Sequence, residues 1–139
     1  MDLTLSIINE LARIFPDGTF YREKIEQGFT EPSFYVYPIS ASQDPLLSTR
    51  NYRKRPYCVT WFPDTSLDTT SEQLETMSDR LMNEFKFLHD DKLHILSKDL
   101  KVRDGVIVMT FGIRYVVQEV PDESTKMQDL TEKGALKNG

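Results

Sequence analysis

"LHILSKDLKVRDGVIVMTFGIRYVVQEV", residues 93–120, is typical of a β-hairpin with two long strands. Asp104 and Gly105 at its centre suit the left-handed backbone conformations of a tight turn. In the returning strand, predicted over 106–120, apolar side chains alternate with small or polar ones, so one face is expected to be core and the other wetter or shared with a partner. The core-facing residues are Ile107, Met109, Phe111, Ile113, Tyr115 and Val117.

Two amphipathic helices are predicted before this hairpin. The first begins after Asp2, whose carboxylate is placed to cap free N–H groups, and it ends at 16–18. The second follows Thr69 and Thr70, which each stand three residues before a glutamate or glutamine, as in a reciprocal capping box. Apolar residues recur at helical spacing in both, at Leu5, Ile8, Leu11, Ala12 and Phe15 in the first and at Leu74, Met77, Leu81, Phe85 and Leu88 in the second.

Three shorter strands are predicted between the helices, over 20–25, 33–39 and 57–62, with a loop over 40–48. Alternation in the third of them places Tyr57, Val59 and Trp61 on one face, and the opposite face is also largely apolar. The fold class is therefore α+β: two helices packed on one mostly antiparallel sheet of about five strands, with a polar C-terminal tail.

Length and composition predict one folded domain. The chain has 139 residues, of which 39% are hydrophobic, enough to form a single core. From Pro121 onward the sequence is polar and mixed in charge, so we predict a domain over 1–120 and a mobile tail over 121–139. The single cysteine, the absence of signal-peptide features in the first residues and the lack of an apolar run of roughly 20 residues predict a soluble, cytosolic chain without disulfides.

A basic cluster stands out in a chain whose formal net charge is −5. The cluster comprises Arg50, Arg53, Lys54 and Arg55. If the third strand extends back to Tyr52, alternation sends Arg53 and Arg55 to one side, and Lys54 with Tyr52 and Arg50 to the other. Three interpretations stay open: a solvated strand end, a contact between subunits, or a passage lined for phosphates. The acidic balance excludes a protein that coats nucleic acid, because such binding depends on many cations.

Catalytic and metal-binding patterns are weak in this sequence. His89, Asp90, Asp91 and His94 could hold a divalent cation, but a histidine at a helix C-terminus followed by a turn is the simpler interpretation. Cys58 lies within an apolar strand and is expected to be a buried small hydrophobe. No phosphate-binding loop or nucleophile motif occurs. The sequence therefore predicts no enzyme, no cofactor and no metal.

Two segments carry a resemblance to a known family. "YREKIEQGFTEPSFYVYPI", residues 21–39, and "RNYRKRPYCVTWFPD", residues 50–64, resemble the tail terminator family of long-tailed bacteriophages, found in phages and prophages of Gram-positive bacteria. The order of helices and strands agrees with that family over 3–120. The shared motifs are structural rather than catalytic.

The resemblance implies a structural virion protein. Such a subunit would form a ring, typically a homo-hexamer, that caps the tail tube, ends tail polymerisation and offers a joining surface to the head. Its partners would be copies of itself, the tail tube protein and the head-side connector or neck protein, with DNA passing weakly through the hole and no membrane contact. It would be located in the tail or neck of the virion, and in the host cytoplasm during assembly.

A ring needs an interface at which one patch meets a different patch of the neighbour. Large aromatic side chains dominate contact energies, so Tyr35, Tyr37, Tyr57 and Trp61 are predicted interface residues, with filling of the monomer core as the alternative. The basic cluster and Tyr52 would belong to a projecting hairpin, where Arg53 and Arg55 pair with the acidic residues Glu26 and Glu31. A small DNA-binding accessory protein that uses residues 50–55, and a hydrolase built on the metal-capable residues, are the competing hypotheses.

Overall fold

The structure of the chain is a computed structural model that describes residues 2–22, 30–39 and 52–116, with the backbone alone at Tyr52, Arg53 and Val116. The predicted loop over 40–48 and tail over 121–139 therefore lie outside the described residues. The elements in chain order are α1 (Leu3–Ile14), β1 (Phe20–Tyr21), β2 (Ser33–Pro38), β3 (Tyr52–Phe62), α2 (Thr70–Glu84), β4 (Phe87–Leu88), β5 (Leu93–Arg103) and β6 (Val106–Val116).

The predicted α+β class is confirmed, with the strands in a single mixed sheet. Strand order is β1-β2-β3-β6-β5-β4. β1 runs parallel to β2, whereas the β2–β3, β4–β5 and β5–β6 pairs are antiparallel. The sixth strand, absent from the prediction, is the two-residue β4, Phe87–Leu88. Extending the second helix to Leu88 was wrong, because α2 ends at Glu84 and Leu88 pairs with Leu93 of β5. The third strand, predicted over 57–62, begins at Tyr52, so the condition for alternation through the basic cluster is met.

The hairpin predicted at 104–105 is present. Asp104 and Gly105 have φ angles of 51° and 75°, the two left-handed conformations that a tight hairpin turn requires. On β6 the alternate apolar residues are buried as expected: Ile107, Met109 and Ile113 are fully buried and Phe111 nearly so. This strand therefore supplies the middle of the core.

A bulge in β5 was not predicted. The register with β6 shifts between Leu96 and Asp99, and Ser97 between them has a φ of 56°. A bulge adds a residue on one strand and re-aims the side chains next to it. Here it directs Lys98 to the C-terminal end of α2, where its ammonium group donates to backbone carbonyl oxygens.

Helix α1 has the predicted cap but a rotated apolar face. Asp2 Oδ1 accepts a hydrogen bond from the backbone N–H of Leu5 at 3.0 Å, which satisfies one free donor of the first turn. Ile7 and Leu11 are fully buried and Leu3 is 4% exposed, whereas the predicted core residue Leu5 is 46% exposed. Placing Leu5 in the core was wrong. The sequence of α1 contains two overlapping apolar stripes, and packing on the sheet buries the one that includes Ile7.

The capping boxes predicted for α2 are wrong. Thr69 is the N-cap residue, yet its side chain makes no capping hydrogen bond. Instead Gln73 reaches past it to the chain before the helix: its Oε1 accepts from the N–H of Asp64 at 2.8 Å, and its Nε2 donates to the Asp64 carbonyl at 3.0 Å. The loop after β3 is thus held to the first turn of α2 by one amide side chain.

The core lies between one face of the sheet and the two helices. It joins residues of α1 and α2 to inward-facing residues of β2, β3 and β6, among them Leu11, Leu81, Phe34, Val59 and Met109. By its internal contacts the chain divides into two units, and the core, both helices and most of the sheet belong to the first, Met1–Leu47 with Lys54–Tyr115. The second unit, Ser48–Arg53 with Val116–Gly139, lies almost wholly outside the described residues.

Candidate subunit interface

The register of β2 on β3 places the predicted aromatic residues on two different faces. Phe34 and Val36 point into the core, so Tyr35 and Tyr37, which alternate with them, lie on the sheet face that the core does not cover. Their ring centroids are 4.6 Å apart and both side chains are partly exposed. This pair is available for contact with another protein surface.

Tyr57 and Trp61 belong to the core of the chain itself. They are 2% and 5% exposed. The Tyr57 ring stacks on Phe111, with centroids 6.4 Å apart, and Trp61 lies 6.4 Å from Phe34. Filling of the monomer core, the alternative interpretation from the sequence, describes these two side chains, although Trp61 also lines a groove beside α2.

Around Tyr37 the outer face of the sheet is dense. Tyr37 pairs with Cys58 across β2 and β3, and the Cys58 thiol lies 3.8 Å from the Thr60 hydroxyl. Burial, with a further contribution from Cys58, raises the pKa of the Tyr37 phenol. Cys58 is a buried free thiol, as expected, and it packs between its neighbours without a basic partner among the described residues.

The start of β3 presents its basic residues on both sides of the sheet, as the alternation predicted. The Arg55 guanidinium lies 5.8 Å from the centre of the Tyr57 ring, on the core side. Lys54 points to the opposite side and its stem crosses Gly112 of β6, where an added Cβ would come within 2.4 Å of Lys54 Cε. Arg50 lies outside the described residues, as do the side chains of Arg53 and Tyr52. We call Lys54 and Arg55 the basic strand start.

Of the two acidic residues predicted to pair with arginines, one is engaged elsewhere and the other is not described. Glu31 Oε1 accepts hydrogen bonds from the Thr65 backbone N–H at 3.2 Å and from the Thr65 hydroxyl at 2.6 Å. This contact holds the start of β2 to the loop after β3. Glu26 lies outside the described residues.

Three of the four metal-capable residues are tied to α1, whereas His94 packs on Phe87. The prediction that His89 lies at a helix C-terminus was wrong, because α2 ends at Glu84 and His89 follows β4. His89 Nδ1 lies 2.9 Å from Glu10 Oε1, Asp90 accepts from the Asn9 amide at 2.8 Å, and Asp91 accepts from the Ser6 hydroxyl. Over 2–22, 30–39 and 52–116, no group of three or more histidine, cysteine or acidic side chains is placed to hold a metal ion. The turn before β5 thus serves to fasten α1.

A surface that the sequence analysis missed runs along α2. Glu72, Glu75 and Asp79 are exposed, and their spacing of three and four residues puts them on one face of the helix. We call these three residues the acidic stripe. Beside it lies a groove of about 340 Å³, lined in part by Trp61, Glu72, Thr76, Met77 and Arg80. The charge spacing was visible in the sequence, but the groove depends on how α2 packs beside β3.

The described part of this α+β domain thus presents an outer sheet face with two partly exposed tyrosines and an exposed acidic face of α2. Residues 2–125 match the family described as phage tail terminator protein, and the chain belongs to that family. It is therefore a structural component of the phage tail, whose function is to contact other proteins of the particle.

The other comparisons add little beyond the family. No curated protein matches the sequence significantly. One solved structure aligns over 84% of this chain and 96% of its own, with 13% sequence identity and a TM-score of 0.36, a likeness too low to support any argument. In the described part of the chain, no helix combines the length and the apolar character needed to cross a membrane.

Proposed function

We propose that the chain forms a hexameric ring that caps the tail tube, ends tail polymerisation and offers the surface to which the head-side connector or neck protein joins. Family membership supports this function. The phage or prophage would be one of a Gram-positive host, with assembly in the host cytoplasm and DNA passing only transiently through the ring.

The observation that carries the proposal is the partly exposed aromatic pair on the outer face of the sheet. Tyr35 and Tyr37 lie 4.6 Å apart, ring centre to ring centre, on the face that the two helices leave open. Tyrosines supply large, amphipathic contact area and are enriched at protein interfaces. We assign this face to the contact within the ring or with the tube.

The test is the mass of the purified full-length chain by size-exclusion chromatography with light scattering, alone and mixed with its cognate tail tubes. A hexamer-sized species, or capture on tube ends, is the expected result. Tyr35→Ser/Tyr37→Ser should weaken that capture at least about tenfold, as loss of an interface hot spot does. Val102→Ser, which removes an exposed apolar residue from the β5–β6 hairpin, is the control and should behave as wild type.

DNA binding by the basic cluster is the second candidate function, favoured by the exposure of Lys54. Its signature would be retention of DNA that falls steeply as salt rises, because each phosphate contact releases counterions. A monomer that ignores tail tubes but retains DNA in this manner would overturn the ring proposal in favour of the second.

A further inference from the structure

We propose that the acidic stripe of α2, with the groove beside it, receives the basic strand start of a second copy of this chain. The inference rests on the proposed function, since it names two surfaces that meet between neighbouring subunits of the ring. It concerns Glu72, Glu75 and Asp79 on one copy, and Lys54 and Arg55 on the other, with Arg50 and Arg53 next to them in the sequence.

Among residues 2–22, 30–39 and 52–116, the acidic stripe has no ion-pair partner. Neither a hydrogen bond nor an ion pair links its carboxylates to other described residues, whereas nearby Arg80 is already held by Glu84 at 2.9 and 3.0 Å. Like charges three or four residues apart weaken a helix. Glu72 is explained by its place in the first turn, where the helix dipole favours an acid, but Glu75 and Asp79 lie beyond that turn.

The groove beside the stripe offers apolar wall and a carboxylate to an arginine or lysine side chain, and Arg80 on its lining is paired with Glu84. Trp61 and Met77 contribute apolar and aromatic wall, and Glu72 lies on the lining with its carboxylate. A long basic side chain can lay its apolar stem along such a wall while its charged head meets the acid, and a guanidinium also stacks on aromatic rings.

Within one chain, Lys54 is remote from the Trp61 wall of the groove. Lys54 and Trp61 are seven positions apart on the same extended strand β3, which separates their backbones by about 23 Å. Lys54 therefore lies near one end of β3, and the Trp61 wall of the groove near the other. Seating Lys54 in this groove takes a second copy in a head-to-tail arrangement, the kind of contact that closes into a ring when the rotation between copies allows it.

Glu31 is a poorer acceptor for the basic strand start than the acidic stripe. Its carboxylate is already bonded twice to Thr65, so a new ion pair there would have to displace a contact that fastens the loop after β3. The stripe offers three carboxylates on one helix, none of them bonded to another residue in the part of the chain that the structure describes. Charge complementarity thus selects α2 of the neighbouring copy.

The test uses two charge-reversed forms of the full chain, added alone or as an equimolar mixture to cognate tail tubes. One form carries Glu75→Lys/Asp79→Lys, and the other carries Lys54→Glu/Arg55→Glu. Each alone brings like charges together at every subunit contact and should assemble at least about tenfold more weakly than wild type. Mixed, the two forms should recover assembly, because alternating copies restore opposite charges at every contact of an even-numbered ring.

The control for Glu75→Lys/Asp79→Lys is Asp17→Lys/Asp99→Lys. It makes the same change of net charge at exposed positions elsewhere and should assemble as wild type. Circular dichroism and thermal unfolding establish that each form is folded. Folded forms that assemble normally on their own, or that fail to recover when mixed, would overturn the inference and leave the tube-capping function standing. Loss of DNA retention in the Lys54→Glu/Arg55→Glu form, with tube capping intact, would overturn it in favour of a DNA contact.

Failure of the proposed function gives a different pattern. A wild-type chain that self-associates in light scattering, with the same loss and recovery among the variants, but that never binds tail tubes, would support the contact between copies and overturn the capping role.

Discussion

Lys98 donates a hydrogen bond to the carbonyl oxygen of Phe85 at 2.7 Å, and this contact ties the bulge of β5 to the end of α2. The same ammonium group also donates to the carbonyls of Met82 at 2.9 Å and Leu81 at 3.1 Å. The last carbonyls of a helix lack partners within it, so this side chain satisfies those of Met82 and Phe85 and adds a second donor to that of Leu81, which also accepts from the Phe85 N–H at 3.3 Å. Burial, and secondarily Lys86, lower the pKa of Lys98.

Removing this cap should destabilise the subunit. Lys98→Met keeps the aliphatic stem but loses all three hydrogen bonds, and the unfolding free energy should fall by about 1–3 kcal/mol, the cost of leaving a part-buried acceptor such as the Phe85 carbonyl unpaired. Urea unfolding followed by circular dichroism measures the change. Lys101→Met, on the exposed part of the same strand, should change stability by less than about 0.5 kcal/mol. Equal effects of the two substitutions would contradict the capping role.

Glu10 should make stability depend on acid pH. Its side chain is buried against Arg13 at 2.5 Å and His89, and although burial acts to raise the pKa of Glu10, the hydrogen bonds from Arg13 and His89 outweigh it and lower that pKa below its ordinary 4.5. The folded chain therefore takes up this proton at a lower pH than the unfolded chain. The stabilisation is complete above about pH 4.5 and is lost as the pH falls through the folded pKa.

Glu10→Gln is the variant that tests this dependence. At pH 7 it should be less stable than wild type by about 1 kcal/mol, because a charge-assisted hydrogen bond is lost, and the difference should shrink as the pH is lowered toward 3. Chemical unfolding at a series of pH values gives both curves. Glu75→Gln, on the exposed face of α2, is the control and should follow the wild-type curve; a Glu10→Gln deficit that stays constant with pH would refute the assignment.

Gln73, and not Thr69, should control the start of α2. Gln73→Ala removes both hydrogen bonds to the Asp64 backbone and should lower the unfolding free energy by about 1–2 kcal/mol. Thr69→Ala removes only a weaker contact from Gln73 at 3.2 Å and should cost less than about 0.5 kcal/mol. Thermal and urea unfolding of the two variants decide between this arrangement and a capping box, for which the larger loss would follow Thr69→Ala.

Gly112 and Lys54 should be energetically coupled. A Cβ at position 112 would meet Lys54 Cε at 2.4 Å and Cγ at 3.3 Å, so Gly112→Ala must displace the lysine stem. Because Lys54 is exposed and flexible, we expect a loss below about 1 kcal/mol. In a Lys54→Ala background the clash disappears, and Gly112→Ala should become neutral or stabilising by restricting the unfolded chain. A double-mutant cycle in urea measures the coupling, and additive effects would show that the two residues do not touch.

Much of the fold could be predicted from the sequence because its strongest patterns are local. The alternation along β6 repeats every two residues, the apolar stripe of α2 repeats about every four, and the Asp104-Gly105 turn is a pair of neighbours. The buried positions and the turn agree with these local patterns. The bulge at Ser97 could not be predicted, since it depends on the position of the end of α2 beside β5. Leu5 was misplaced for a similar reason: the sheet, and not the helix, decides which side of α1 is buried.

For the candidate interface, the sequence indicated the types of side chain involved better than their positions in the fold. Alternation correctly separated Lys54 from Arg55, but it could not tell which face of the sheet the helices cover, and so Tyr57 and Trp61 were grouped with Tyr35 and Tyr37. The hydrogen bonds of Glu31 could not be predicted either, because its partner Thr65 is distant in the sequence. Whether the remaining residues form the interface stays a prediction.

The adjacency of β3 and β6 at the centre of the sheet has a consequence for how the subunit folds. It joins an N-terminal half, with α1 and the first three strands, to a C-terminal half, with α2 and the last three. The β5–β6 hairpin can close locally, but the central pair must bring together segments about 50 residues apart, and such long-range closure is slow. We therefore expect the seam between the halves to limit folding, so that a newly made chain acquires its core, and with it the ability to join a growing particle, only after its C-terminal half has been synthesised.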